Sequence, residues 1–194
     1  MVARPIKKRF LFGMILAIAL VSVSLLAWTF QQSGDEMILV KWRAVVDVSD
    51  DRQLVGIAHD VFFGQILEEL GQTEEQGEPE TQFSVKVLEV LKGSVAGVVT
   101  VNQKGGYDTK YNVPVRLEGD FQLLEPGKSY PFVTRTHPEK GWHTLIPHYG
   151  DIEIRVPERA TEAEVLGSQH AGELRQRFAG AVEREIPYDP KNRY

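Results

Sequence analysis

The middle of the chain alternates apolar and polar residues, and this period of two is typical of β-strands. The alternation is clearest in FSVKVLEVLKG, residues 83–93. Leu88 and Val90 interrupt it, so the far end of this strand is expected to be covered on both sides, as in a closed or helix-capped sheet. The face expected to be buried carries Phe83, Val85, Val87 and Leu91.

Apolar segments on either side predict further strands. VFFGQILEEL (61–70) is rich in strand-forming residues and ends at Gly71, and the polar stretch QTEEQGEPE (72–80) after it predicts a turn. A glycine-flanked link leads to the next strand, GVVTVNQ (97–103). Pro131 places a later strand at an edge or at its entry. The later strands are SYPFVTRTH (129–137), GWHTLIP (141–147) and GDIEIRV (150–156).

Helical spacing is found on both sides of the strand-rich region. Ser49 is expected to cap a short helix that ends near His59, because serine is a favoured N-cap residue. Thr161 and Glu164 form a capping-box pattern at the start of a second helix, predicted over 161–185. The residues expected to face inward are Leu54, Ile57 and Ala58 in the first helix and Leu166, Leu174, Phe178 and Val182 in the second.

The first thirty residues differ from the rest of the chain. Four basic residues precede a charge-free run from Phe10 to Phe30, which is long enough to cross a bilayer as a helix. We expect an uncleaved membrane anchor whose basic flank stays in the cytoplasm, so that the remainder lies outside it. A cleaved signal peptide is the alternative, although its apolar region is usually shorter.

These patterns divide the chain into four parts. A mainly β fold is expected, with a small OB-like closed β-barrel, a short packing helix, an N-terminal transmembrane helix and a C-terminal α-helix. Residues 37–48 are expected to be a strand-like lead-in to the barrel. The parts are an anchor (1–30), a juxtamembrane lead-in (31–48), the barrel domain (49–157) and a helix with a tail (158–194).

Composition and charge narrow the classes of partner. The 194-residue chain has no cysteine, which excludes disulfides and thiolate metal sites. After residue 30 it carries 27 acidic and 18 basic residues, a net charge of −9. Nucleic-acid-binding surfaces are normally basic, so no nucleic-acid partner is expected.

The order of the strands resembles the bacterial members of the netrin-module family, relatives of the tissue inhibitors of metalloproteinases. The resemblance covers about residues 50–156. It implies a five-stranded OB-type barrel with a helix packed on it. Animal inhibitors chelate the protease zinc through an amino-terminal cysteine, which this chain lacks, so the resemblance does not extend to that mechanism. The similar segments are DVFFGQI (60–66), FSVKVLEVLKGSVAGVVTVNQ (83–103), LLEPGKSYPFV (123–133) and GDIEI (150–154).

Three histidines near the closing strands are candidate metal ligands. His137, His143 and His148, with Asp151, supply the ligand types of a catalytic zinc site. Their spacing matches no known motif, and residues an odd number apart on a strand point to opposite faces. The alternative is that they are surface and turn residues. The adjacent pair His59-Asp60 is interpreted as a helix-end cation and cap.

The longest irregular segment, residues 104–128, is the candidate binding region. Loops of this length inside a compact domain are usually functional or disordered. Tyr107 and Tyr111 offer large contact area, and Trp142 in a neighbouring turn adds a stacking surface. The acids of the segment, Asp108, Glu118 and Asp120, favour a basic partner surface. The aromatic residues would alternatively be half-buried parts of the barrel.

The sequence therefore predicts a membrane-anchored, extracytoplasmic binding module without catalysis or cofactor. Its expected ligand is a protein or an envelope glycan. Two alternatives stay open, a metal-dependent hydrolase that uses His137, His143 and His148, and a protease inhibitor that acts through the barrel loops.

Overall fold

The structure, a computed structural model, describes residues 37–75, 77–119, 122–147, 152–157 and 159–189. The predicted anchor lies outside these residues. Across the ranges just given, no helix is both long and apolar enough to span a membrane.

The described residues are mainly β, which confirms the predicted fold class at that level. Among the described residues, helices occur before and after the barrel strands. The strands are β1 (Ile38–Val40), β2 (Asp60–Glu75), β3 (Glu78–Lys92), β4 (Val98–Lys104), β5 (Gly106–Asp108), β6 (Val113–Leu117), β7 (Ser129–Thr136) and β8 (His143–Leu145). The helices are α1 (Asp51–Ile57), α2 (Glu162–Gly167) and α3 (Gln169–Val182).

Five strands pair in the order β2-β3-β4-β8-β7, and β7 pairs again with β2, so that they form a closed barrel. Within this ring only β4 and β8 run parallel. Although β8 follows β7 in the sequence, it lies between β4 and β7. The closed part of the ring has no free edge, whereas the outer half of β2, from Glu68 to Glu75, pairs only with β3.

Aromatic and β-branched side chains fill the barrel interior. The rings of Phe62 and Phe132 stack with their centroids 5.0 Å apart. Phe83 and Val85 pack in the same cluster and are fully buried. A Cβ on Gly64 would lie 2.6 Å from Val85 and 2.9 Å from Phe132, so β2 comes this close to its neighbours only because glycine has no side chain.

A second apolar layer lies between the barrel and the helices. Val61 and Phe63 supply its barrel side, and Leu54 of α1 and Phe178 of α3 supply its helix side. All four side chains are buried. Val61 and Phe63 flank the interior residue Phe62, as the alternation of a strand requires.

Register shifts place two leucines of β3 against this helix-side layer. The β2–β3 pairing skips Leu88 and Leu91, which are therefore bulge residues. Both pack with the helix-side layer, so Leu91 does not share the face of Phe83 as predicted. Val90, expected to be covered, is 39% exposed.

The polar stretch 72–80, predicted to be a turn, is the outer half of a long hairpin. β2 continues to Glu75 and β3 begins at Glu78. GDIEIRV, predicted to be a strand, is irregular over its described part. There the backbone N–H of Ile154 donates to the carbonyl of Ser129 at 2.8 Å, and the Ile154 side chain is buried without strand pairing.

The predicted carboxy-terminal helix is two helices, because Ser168 separates them. Its backbone N–H donates to the carbonyl of Val165 at the end of α2, and its Oγ accepts the N–H of Ala171 at the start of α3. The capping box of Thr161 and Glu164 is present, as predicted. A single serine therefore caps both helices where they meet.

Two polar residues near α1 have different roles from those predicted. Asp50, rather than Ser49, caps the helix, and its Oδ1 accepts the N–H of Arg52 at 3.0 Å. The Ser49 hydroxyl donates to the Asp47 carboxylate instead. Asp60, predicted to be a helix cap, is the first residue of β2 and is buried.

The lead-in and the segment 104–128 meet in a second, three-stranded sheet with the order β1-β6-β5. β1 pairs parallel to β6, and β5 pairs antiparallel to it. Over its described residues, 37–48, the lead-in is a strand only at β1, and the predicted irregular segment contains both β5 and β6. This sheet carries Tyr107 and Asp108 on β5, and Tyr111 lies in the turn between β5 and β6.

Candidate functional site

Three predicted binding residues, Tyr107, Asp108 and Tyr111, line one groove. Its other wall is the outer half of the β2–β3 hairpin, and we call the space between hairpin residues 71–79 and residues 107–111 the tyrosine groove. It encloses about 660 Å³. Ligand pockets in proteins usually enclose about 300–1,000 Å³.

The two walls are joined by hydrogen bonds and close packing. The backbone N–H of Tyr107 donates to Oε1 of Gln72 at 2.8 Å. Gly106 makes this approach possible, because a Cβ there would lie 2.5 Å from the same Oε1. On β3, the second strand of the hairpin, the Thr81 hydroxyl donates to the carbonyl of Gly105 at 2.9 Å. The groove is therefore built on paired strands.

The turn after β5 is held by Asp108. Its Oδ1 accepts the N–H groups of Lys110 and Tyr111 at 2.8 and 3.0 Å. Asn112 completes the turn with a φ of 58°, a left-handed conformation that asparagine tolerates. The Asp108 carboxylate therefore stabilises the turn that follows it, and this structural role weakens its predicted role in attracting a basic partner.

The two tyrosine side chains are open to solvent. Tyr107 is 40% and Tyr111 is 61% exposed, and neither belongs to the barrel interior or to the helix-side layer. Lys110 Nζ lies 4.9 Å from the centre of the Tyr111 ring, a cation–π contact along the rim. The structure therefore contradicts the alternative that these tyrosines are half-buried barrel residues.

The other predicted binding residues lie elsewhere. Glu118 is exposed beside Lys41, with Oε1 3.8 Å from Nζ. Trp142 lies under Lys140, whose Nζ is 4.6 Å from the ring centre. Neither residue lines the tyrosine groove, and Asp120 lies outside the described residues.

The turn that carries Trp142 nevertheless contacts the tip of the hairpin. Lys140 donates a hydrogen bond to the Glu75 carboxylate, and this contact holds the pKa of Glu75 below its usual range. Glu75 follows Glu74, a groove residue. The hairpin is therefore supported from the barrel side as well as from β5.

The two described histidines of the predicted metal site have structural partners. The Nδ1 atom of His137 accepts N–H groups from Glu139 and Lys140, each at 3.2 Å. His143 is buried, and its Nδ1 lies 3.2 Å from Oδ2 of Asp60. Asp60 also accepts a hydrogen bond from the Thr136 hydroxyl at 3.0 Å.

Within the part of the chain that the structure describes, no three histidine or carboxylate side chains cluster as a metal site would require. His148 and Asp151 lie outside that part, so the proposed ligand set stays a prediction. The pairing of Asp60 with His143 was not predicted, since 83 positions separate them in sequence. Only strand order brings them together.

Sequence reasoning also missed the hairpin wall of the tyrosine groove. Its glutamates and glutamines resemble a turn in composition, and the signal for a strand is weak there. The chain matches no protein-family model and no curated protein. Geometry is therefore the basis on which the site is interpreted.

Proposed function

We propose that the chain is a membrane-anchored, extracytoplasmic, non-catalytic binding module whose contact surface is the tyrosine groove. Its ligand is a protein segment or an envelope glycan. The observation that carries the proposal is the pair of exposed tyrosine rings, Tyr107 and Tyr111, on a groove whose walls are hydrogen-bonded to each other. Tyrosine gives a large contact area at low entropic cost, and fixed walls reduce the ordering cost of binding.

The barrel, in this proposal, is of the OB type and is related to the netrin modules. The five-stranded ring supports it, as does the out-of-order strand β8, which makes a Greek-key connection of the kind that OB folds use. The tyrosine groove lies outside the ring, between the hairpin and an inserted sheet.

The membrane anchor rests on the sequence. The run Phe10 to Phe30 has no charge and follows four basic residues. An anchored domain meets its ligand at the outer membrane surface, where a protein or an envelope glycan is the available partner.

The test compares three forms of the full-length protein in capture from envelope extracts and on an envelope-glycan array. Tyr107→Ala with Tyr111→Ala is expected to abolish capture and to leave the melting temperature within a few degrees, because both rings are exposed. Tyr188→Ala is the matched control, since it removes a tyrosine away from the groove. Phe178→Asp is expected to unfold or loosen the protein, because it places a charge in a buried layer.

Two results would contradict the proposal. Capture that persists in the double tyrosine variant would show that the contact surface is not the tyrosine groove. A loss of stability of about 3 kcal/mol or more, typical of core aromatic residues, would show that the tyrosines are part of the core.

A further inference from the structure

A second groove shares no lining residue with the tyrosine groove. It lies between the segment 42–45, the carboxyl end of α1 and the strands β7 and β8, and it encloses about 380 Å³. We call it the arginine groove, after Arg43 and Arg135. The proposed function above does not use it, and the inference below does not depend on that function.

The charge of the arginine groove is opposite to that of the protein. The whole chain has a net charge of −5. The groove is lined by Arg43, Lys104 and Arg135, and none of its described lining residues is acidic. A basic groove on an acidic protein attracts anionic groups selectively.

Two of the three cations are available to a ligand. Arg43 and Arg135 are exposed, and neither guanidinium group is hydrogen-bonded or ion-paired to another described residue. The Lys104 ammonium, by contrast, lies 3.2 Å from Glu78 Oε2 and 3.3 Å from Glu80 Oε1. The attraction for an anion therefore comes from the two arginines.

Pairing and packing position these arginines. Arg135 on β7 is the register partner of Thr144 on β8, so the two side chains start from neighbouring positions on one face. Burial alternates along the segment before α1, where Trp42 packs against the helix-side layer and Arg43 points outward. The groove thus presents one cation from each wall.

Much of the remaining lining is apolar, and Thr136, His137 and Thr144 supply its polar part. Ile146 and Pro147 are buried, and Ile57 at the end of α1 is half-buried. Val45 on the opposite rim is 63% exposed, so the groove is an open trough. An open trough suits an extended peptide better than an acyl chain, which would leave its apolar length in water.

We propose that the arginine groove binds an extended peptide segment in which an aspartate or glutamate adjoins a large apolar side chain. The apolar side chain lies against Ile146 and Pro147, and the carboxylate accepts paired hydrogen bonds from the guanidinium of Arg135. Arginine is suited to this contact because its planar fork matches the two oxygens of a carboxylate. Arg43 adds attraction from the other wall.

The experiment selects phage-displayed random heptapeptides on the full-length protein that carries Tyr107→Ala and Tyr111→Ala. Because this variant lacks both tyrosine rings, peptides cannot be selected through the contact that the proposed function uses. A failure of the proposed function is therefore distinguishable from a failure of this inference. The expected peptides carry Asp or Glu beside Leu, Phe or Trp, and salt weakens their binding. Arg135→Gln is expected to weaken binding by about tenfold or more, as for a lost hydrogen bond between charged groups. Arg43→Gln is expected to weaken it less.

The matched control is Arg155→Gln, which removes an exposed arginine that does not line the arginine groove. It is expected to leave peptide binding unchanged. Enrichment of basic peptides, an absence of enriched peptides, or binding that tolerates Arg135→Gln would each overturn the proposal. Arginine-dependent binding to phosphatidylglycerol vesicles without acidic peptides would also overturn it and assign the groove to a membrane surface.

Discussion

Asp50 links a helix start to a charge pair. Its Oδ1 accepts both the side-chain Nε–H and the backbone N–H of Arg52 at 3.0 Å. The side-chain contact and then the backbone hydrogen bond lower the pKa of Asp50 from 3.8 to about 2. A depressed pKa means that the ionised form is the one that stabilises the folded protein.

The resulting prediction concerns acid stability. The contribution of the Asp50 charge should be present above the unfolded pKa and should be lost as the pH falls towards the folded value, between about pH 5 and pH 2. Asp50→Asn keeps a capping oxygen but has no charge. The melting temperature of the wild type should therefore exceed that of Asp50→Asn near neutral pH, and the difference between the two melting temperatures should decrease on acidification.

Glu68→Gln is the control for this experiment, because it removes one exposed carboxylate that makes no hydrogen bond to another described residue. A gap between wild type and Asp50→Asn that is independent of pH would show that the charge contributes nothing beyond the cap.

At the scale of single elements, two glycines in different settings give opposite expectations. A Cβ on Gly64 in β2 would lie 2.6 Å from Val85, whereas a Cβ on Gly172 in α3 would meet nothing within 4 Å. Gly64→Ala should destabilise the protein by about 1–3 kcal/mol through overpacking. Gly172→Ala should stabilise it by about 0.5–1 kcal/mol through helix propensity.

Urea unfolding of both variants measures these differences. Both variants replace a glycine by alanine, so a difference between them reports the packing around each position rather than the substitution itself. Equal effects of the same sign would mean that β2 does not pass as close to β3 and β7 as the distances indicate.

Residue periodicity predicted the faces of strands only where pairing is regular. Phe83 and Val85 were placed correctly because β3 alternates without interruption there. Leu91 was misplaced because a bulge depends on the partner strand, which one strand's sequence does not contain. Likewise, the polar residues 72–75 and 78–80 form strands because the two backbones are paired across the hairpin, although their composition favours a turn.

The candidate site could be predicted only in part for the same reason. Tyrosines in a glycine-rich segment are visible in the sequence, so Tyr107 and Tyr111 were named as candidates, whereas their exposure is known from the structure. The hairpin wall opposite them depends on a contact between Gln72 and Tyr107, which are 35 positions apart. Pairings over such distances are properties of the fold, and no local pattern encodes them.

At the scale of the whole molecule, the proposed anchor can be distinguished from a cleaved signal peptide. We expect the full-length chain to remain in membranes after an alkaline carbonate wash and to keep its first residue, because a charge-free run of this length holds a helix in the bilayer. Intact mass of the membrane-bound protein, expected at the 21.9 kDa of the complete chain, provides the measurement. Replacing Leu16 and Leu20 by Arg should release it, since each charge at the bilayer centre costs about 2.5–3.5 kcal/mol.

A shortened chain in the soluble fraction would instead identify a cleaved signal peptide. The distinction matters for the tyrosine groove, because an anchored groove samples only ligands within reach of the membrane.

The helix-side layer joins the first helix of the described chain to the last, and this has a consequence for the time course of synthesis. About 125 residues separate the end of α1 from the end of α3. At about 5–20 residues per second, the ribosome needs about 6–25 seconds to cover that interval. Through most of it, Val61 and Phe63 have no α3 to cover them, and Val133 has none from its own synthesis until α3 is complete. A nascent chain therefore exposes an apolar surface until α3 has been synthesised. Chaperones that cover this surface should determine how much of the protein a cell accumulates.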